Sequence, residues 1–141
     1  MTSTSPFTPA ELEYLRTQRL GRLATAAPDG TLQNNPVGFT VDTALGTIDI
    51  AGYAMGASRK FRNVEQTLVV AFVVDDIASV TPWKVRGIEI RGTAEAVREA
   101  APRRPGLSAE IIRVHPRRIL SWGLDPDADG KQRRSVTTTT A

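Results

Sequence analysis

Residues 83–97, WKVRGIEIRGTAEAV, form the longest alternating stretch of the chain. Val85, Gly87, Glu89, Arg91, Thr93 and Glu95 fall on one face of an extended segment. Arg86, Ile88, Ile90, Gly92, Ala94 and Ala96 fall on the other, because successive side chains of a strand point to opposite sides. Gly87 and Gly92 interrupt the run where a strand bends or another backbone approaches closely. A long strand that bends through glycines supplies a corner of a small barrel. The rest of the chain must then provide partners for it.

It provides several. LGRLATAA (20–27) leads into the turn Pro28-Asp29-Gly30-Thr31, and Leu32–Val41 is expected to run back as the second arm of a hairpin. Pro36 cannot donate to a ladder, so this arm belongs at an edge or a bulge. Thr47–Ala51 reads as a further short strand. The apolar run Leu68–Val74 reads as the most buried one, ended by Asp75-Asp76. Glu110–His115 and Ile119–Gly123 read as two pieces broken by Pro116. Thr8-Pro9-Ala10-Glu11 carries a helix start with a capping box, for a helix that ends near Arg19 with Leu12 and Leu15 on one face. Ser58–Glu65 reads as a second, short helix. The expected architecture is mainly β: an antiparallel, Greek-key-like barrel of about six or seven strands with a few helices, without the β-α-β alternation of a Rossmann fold. Residues 1–124 are expected to form its single domain. Residues 125–141 form a polar tail expected to be disordered.

Composition narrows the chemistry. The 141 residues suit one domain, and 40% hydrophobic content suits a packed core. There is no cysteine and one histidine, His115, which excludes thiolate metal sites, multi-histidine zinc sites and disulfides. No carboxylate pair is placed for hydrolysis. The N-terminus lacks a basic and an apolar signal region, and no stretch approaches the roughly 20 apolar residues of a membrane span. The cytoplasm is the expected location. The net charge of +3 points to an anionic ligand more than to nucleic acid, since the arginines are scattered and aromatic residues make up only 6%.

The most informative segment is GYAMGASRKFRNV, Gly52–Val64. Gly52 and Gly56 let the backbone approach a ligand. Ser58 stands at a helix N-cap, where free N–H groups and the helix dipole favour an anion. Arg59, Lys60 and Arg62 then place three cations within four residues. The alternative is a solvated basic helix after a loop, and no P-loop pattern is present. Three weaker constellations accompany it. Gln33-Asn34-Asn35-Pro36-Val37 offers amides beside a proline break, suited to a heterocycle edge or equally to a polar sheet edge. Trp83 opens a strand between cations and can lie against a flat ring or serve a core or interface. His115 and Trp122 can reach a shared pocket, although a lone histidine is more often structural.

Taken in order, these elements resemble the pyridoxamine-phosphate-oxidase-like split-barrel superfamily, above all its actinobacterial branch that uses the deazaflavin coenzyme F420. The resemblance is carried by the helix with LGRLAT, by PDGTLQNNPVGF, by GTIDIAGYAMGASRKFRNV, by VVAFVVDDIASVTPWKVRGIEIRGTAEAV and by IIRVHPRRILSWGLD, roughly residues 8–125. It implies an FMN-binding split barrel and a homodimer with two cofactor grooves at the subunit interface. It implies that Ser58, Arg59 and Lys60 hold the cofactor phosphate, with Met55 and Gly56 in the loop above the phosphate or ribityl chain. Asn35, Pro36 and Val37 would line the ring, with Gln33 near its polar edge. Trp83, Arg86 and Trp122 would be the second chain's contribution. Arg22, Arg62, Lys84 and Arg86 could meet the polyanionic tail that F420 has and FMN lacks. The sequence ends in TTTTA where the classical oxidase carries an Arg-Leu-x-Pro type signature, a departure from pyridoxamine phosphate oxidation. The expectation is an F420-dependent oxidoreductase that transfers a hydride to a small organic acceptor, with no metal and no catalytic acid or base assigned. The alternatives are an FMN-dependent oxidase or reductase of the same fold, and a non-catalytic flavin or F420 carrier.

Overall fold

Thr8 opens the first helix as its sequence predicts. Its hydroxyl accepts from the Glu11 amide at 3.2 Å, and the Glu11 carboxylate accepts from the Thr8 amide at 2.9 Å. In this computed structural model, which describes residues 5–100, 105–125 and 130–136, helix α1 spans Pro9–Thr17. It is followed by strands β1 (Leu20–Ala26), β2 (Leu32–Gly38), β3 (Thr40–Asp42) and β4 (Thr47–Ala51). A 3-10 turn at Met55–Ala57 leads into α2 (Arg59–Thr67). Strands β5 (Val69–Ser79), β6 (Lys84–Val97), β7 (Ile111–Trp122) and β8 (Lys131–Ser135) complete the order.

The strands form one curled antiparallel sheet in the order β2-β1-β5-β6-β7-β4-β3, with β8 added along β7. β2 lies at an edge, where the missing N–H of Pro36 costs no ladder bond. The long alternating segment is β6. Its Ile88 and Ile90 are fully buried, while Arg91 and Glu95 on the opposite face are exposed. Between the curled sheet and the inner side of α2 lies the core, in which Leu23, Ile48, Ile50, Phe61, Phe72, Ile112 and Ile119 are 0–1% exposed.

Gly92 is where β6 needs a glycine most. A Cβ there would stand 2.1 Å from the carbonyl oxygen of His115. At this point the β6–β7 register slips, Arg91 facing Arg118 and Gly92 facing Pro116, so that Arg117 is the extra residue of a bulge. The bulge absorbs Pro116, and β7 runs on through it. The expected break into two strands is therefore corrected.

Three further expectations need correction. The returning arm of the hairpin is two strands, since β2 stops at Gly38 and β3 pairs with β4 instead. The run Leu68–Val74 does not end at Asp75-Asp76, because β5 continues to Ser79 with Asp75 paired to Arg22 and Asp76 to Arg86. It buries one face only, whereas β4 is buried along nearly its whole length. Leu68 itself is the left-handed C-cap of α2, at φ 64°. Finally, residues 131–135 of the expected disordered tail are strand β8, while 126–129 and 137–141 lie outside the described residues.

Two polar clusters fasten α1 to this sheet. Tyr14 donates to Asp76 at 2.8 Å, and Arg86 grips the same carboxylate with two bonds while lying 5.1 Å from the Tyr14 ring centroid. Burial and the neighbouring carboxylate push the Tyr14 phenol up, and the Arg86 guanidinium holds Asp76 down. On the other side Arg134 of β8 bonds the buried Glu11 carboxylate through both guanidinium nitrogens and also reaches the Pro6 carbonyl. No helix among the described residues is long and apolar enough to cross a membrane.

Candidate functional site

Alternation along β2 sorts its residues by face. Leu32, Asn34, Pro36 and Gly38 are exposed, whereas Gln33 and Asn35 are half-buried and Val37 is buried. Of the expected ring-lining set, Asn35 and Val37 thus share a face with Gln33, and Pro36 turns to the other.

Next to β2 sits the start of α2. Ser58 is its N-cap, as the sequence predicts. The hydroxyl accepts from the Phe61 amide at 3.3 Å and donates to the Met55 carbonyl at 2.6 Å. The Arg59 and Lys60 amides of the first turn find no acceptor among the described residues, and the Arg59, Lys60 and Arg62 side chains form no ion pair there. Free N–H groups and free cations at a helix start attract an anion. The helix is held in place by its own apolar side, Phe61 and Val64, both fully buried. The segment therefore has a rigid inner face and a charged outer one.

Gln33 and Arg59 meet in a cleft of about 390 Å³ that Asp29, Thr31 and Asn63 also line. The Gln33 carboxamide oxygen is buried and has no hydrogen-bond partner, an unusual state for such an atom. Asn63, 3% exposed, donates to Thr25 at 3.0 Å and so ties α2 to β1 beneath the cleft. Asp29 lies within the field of Arg59. Its carboxyl is held below the usual range first by the Thr31 amide and to a lesser degree by Arg59. By sequence Asn63 falls in the segment Gly52–Val64 and Asp29 in the turn, but neither is named there as a site residue. Their only signal is contact between segments far apart in the chain.

The other expected residues are distributed differently. Met55 is 2% exposed and belongs to the core, and its backbone is already bonded, the amide to Ser108 and the carbonyl to Ser58. Gly56 faces Glu110, whose carboxyl carbon would lie 2.8 Å from a Cβ there. Trp83 is 64% exposed in the turn between β5 and β6. Arg86 is committed to Asp76. Trp122 packs over Gly87 with the Lys131 ammonium 5.7 Å from its ring. Register measures the separation: Gln33 stands opposite Thr25, which stands opposite Val70, whereas Arg86 stands opposite Asp76. Six residues of β5 make roughly 20 Å. Within one chain Trp83, Arg86 and Trp122 are therefore remote from the cationic cleft. His115 is bonded to Glu95 at 2.9 Å, and among the described residues no group of three metal-ligating side chains occurs.

The outer face of β2, β1 and β5 exposes several large apolar side chains around the Arg22–Asp75 ion pair. Pairing puts Leu32 beside Ala26, Asn34 beside Ala24 and Ala71, and Pro36 beside Arg22 and Val73. Leu32 is 76% exposed, Val69 63% and Leu20 55%.

Comparison with known proteins adds four relationships. The pyridoxamine 5'-phosphate oxidase family profile matches residues 7–140. A 5a,11a-dehydrotetracycline/5a,11a-dehydrooxytetracycline reductase of Streptomyces rimosus is 48% identical over 134 residues, 94% of each chain. Among solved structures, an F420 reductase is 26% identical with a TM-score of 0.59, over 79% of this chain and 98% of that one. An FAD binding protein of Mycobacterium smegmatis shares the fold at 22% identity and a TM-score of 0.61, over 94% of this chain and 100% of that one.

Proposed function

The chain belongs to the pyridoxamine 5'-phosphate oxidase family, and from that premise we propose that it is an F420-dependent reductase of electron-poor carbon–carbon double bonds. Oxidoreductase activity is supported by the reductase that is nearly half identical along almost the whole chain. The F420 reductase of the same fold supports the choice of cofactor. The single observation that carries the site is the unpaired cationic start of α2 beside the orphaned carboxamide oxygen of Gln33.

These residues fit a ribityl phosphate. The free amides of the α2 first turn, Arg59 and Lys60 hold the phosphate. The Gln33 oxygen accepts from a ribityl hydroxyl, which supplies the donor it lacks. That puts Gln33 nearer the phosphate than the ring edge. Asn35, farther along the same face of β2, would border the ring, whereas the Val37 side chain is buried in the core and could meet the ring only through its backbone. When bound at these residues, the deazaflavin would supply hydride chemistry, with the accompanying proton drawn from water. The protein's own part is to bind, orient and exclude solvent.

A second copy of the chain would cover the exposed Leu20, Leu32 and Val69 on the outer face of β2, β1 and β5. Such a homodimer would bring the partner's Trp83, Arg86 and Trp122 end toward the groove. This removes the difficulty that those residues are remote from the cleft within one chain.

The test is turnover under anaerobic conditions. Reduced F420 should be consumed when 5a,11a-dehydrotetracycline is added, with the acceptor gaining two hydrogens. Turnover with reduced FMN and none with reduced F420 would overturn the assignment.

A further inference from the structure

A cleft of about 510 Å³ opens between α1 and the segment that joins β2 to β3. Its walls are the apolar side chains of Leu12, Leu15, Phe39 and Val41, and the Thr40 and Thr43 side chains stand at its rim. Its size is that of a small-molecule site. Phe39 is held as a fixed wall, edge-on to Phe72 with ring centroids 5.2 Å apart. The charges on its border cancel, because Glu13 and Arg16 pair with each other at 2.8 Å. The Thr40 and Thr43 hydroxyls have no hydrogen-bond partner among the described residues. A space with aliphatic and aromatic walls, a paired charge and a glutamine on its border and free hydroxyls at its edge suits a fused-ring molecule that carries carbonyl or hydroxyl groups on its perimeter. It does not suit a small charged substrate.

Its location matters as much as its lining. Gln33 marks the cationic cleft at one end of β2, and Phe39 marks the apolar cleft just past the other. Six residues separate them, roughly 20 Å of strand. A cofactor whose phosphate lies at Arg59 and whose ring lies along β2 beside Asn35 would point its ring toward this cleft. Another cleft, under β8, is lined by Glu11 and Arg134, whose polar atoms are engaged with each other.

We infer that the cleft between α1 and the β2–β3 connection is the acceptor subsite, and that it takes flat fused-ring molecules with polar edges. The inference rests on the reading of β2 as the cofactor's track. Tetracycline, a fluorescent linear four-ring molecule, serves as the probe. It is titrated into wild-type protein, Leu12→Trp and Thr43→Trp, with and without F420, and F420 is titrated separately into all three. Both substitutions fill the cleft, one from the wall and one from the exposed rim, so Thr43→Trp decides the matter if Leu12→Trp does not fold. The expected result is at least a tenfold loss of tetracycline affinity in the variants with F420 affinity changed less than twofold. Tetracycline binding that is absent in the wild type, or unchanged in a folded variant, overturns the subsite while leaving the cofactor assignment intact. Failure of the wild type to bind F420 overturns the cofactor assignment, and the probe titration without F420 still decides the subsite.

Discussion

Arg134→Ala removes the counter-ion of a carboxylate that is almost fully buried. The Glu11 side chain is 2% exposed and that of Arg134 32%. Breaking a fully buried pair from one side costs about 3–5 kcal/mol. Here the cost is smaller, because water can enter where the arginine was and the Thr8 amide still bonds Glu11. We expect a loss of about 2 kcal/mol at pH 7, which for a chain of this size lowers Tm by roughly 8 °C. The dependence on pH distinguishes this from a simple packing loss. Burial on its own would raise the Glu11 carboxyl, but bonds from Arg134, the Thr8 amide and Ser121 outweigh it and hold the group below the usual carboxylate range. In the wild type this stabilisation is therefore present above the unfolded value and fades as pH falls through the lower, folded one. In Arg134→Ala burial prevails, the folded variant takes up a proton more readily, and the gap to wild type narrows below about pH 5. Thermal unfolding between pH 4 and 8 measures both curves. Glu11→Gln added to Arg134→Ala should recover most of the loss, since no buried charge remains. A difference below about 0.5 kcal/mol at pH 7, or a gap that widens in acid, refutes the reasoning.

Lys60→Ala should weaken F420 binding by about 1.5–3 kcal/mol, a roughly 10- to 150-fold rise in Kd, by loss of a charge-assisted hydrogen bond; an unchanged Kd would remove Lys60 from the site. Gln33→Leu separates stability from binding. It deletes a buried acceptor that has no partner, so urea unfolding should find the cofactor-free protein unchanged or up to about 1 kcal/mol more stable, while calorimetry finds F420 binding weakened. A loss of stability in the free protein would show that the oxygen is satisfied. Gly92→Ala should lower the urea midpoint by the equivalent of about 1–3 kcal/mol, because its Cβ has no room beside the His115 carbonyl, and a midpoint equal to wild type would argue against the close approach.

Local signals made much of the fold legible. The capping box at Thr8 and Glu11, the turn at Asp29-Gly30, the edge position of Pro36 and the two faces of residues 84–97 all follow from rules that act within a few residues. The misread segments share one cause, which is a partner far away in the sequence. Asp75 and Asp76 look like a strand end, yet Arg22 and Arg86 neutralise them from the adjoining strands. Pro116 looks like a break, yet a bulge opposite Gly92 accommodates it. Lys131–Ser135 looks like a solvated tail, yet Arg134 bonds a residue 123 positions earlier. The site divides the same way. Ser58, Arg59 and Lys60 could be read from capping and charge, but that Gln33 joins Arg59 over Asn63 depends on how the hairpin lies against α2.

The central claim is that the start of α2 and strand β2 beside it hold coenzyme F420. Titration of the purified protein with F420 and with FMN, each followed by cofactor fluorescence, tests it most directly. The account predicts saturable binding of one F420 per chain, tighter than FMN and weakened by Lys60→Ala. Tight binding of FMN with none of F420 would contradict it.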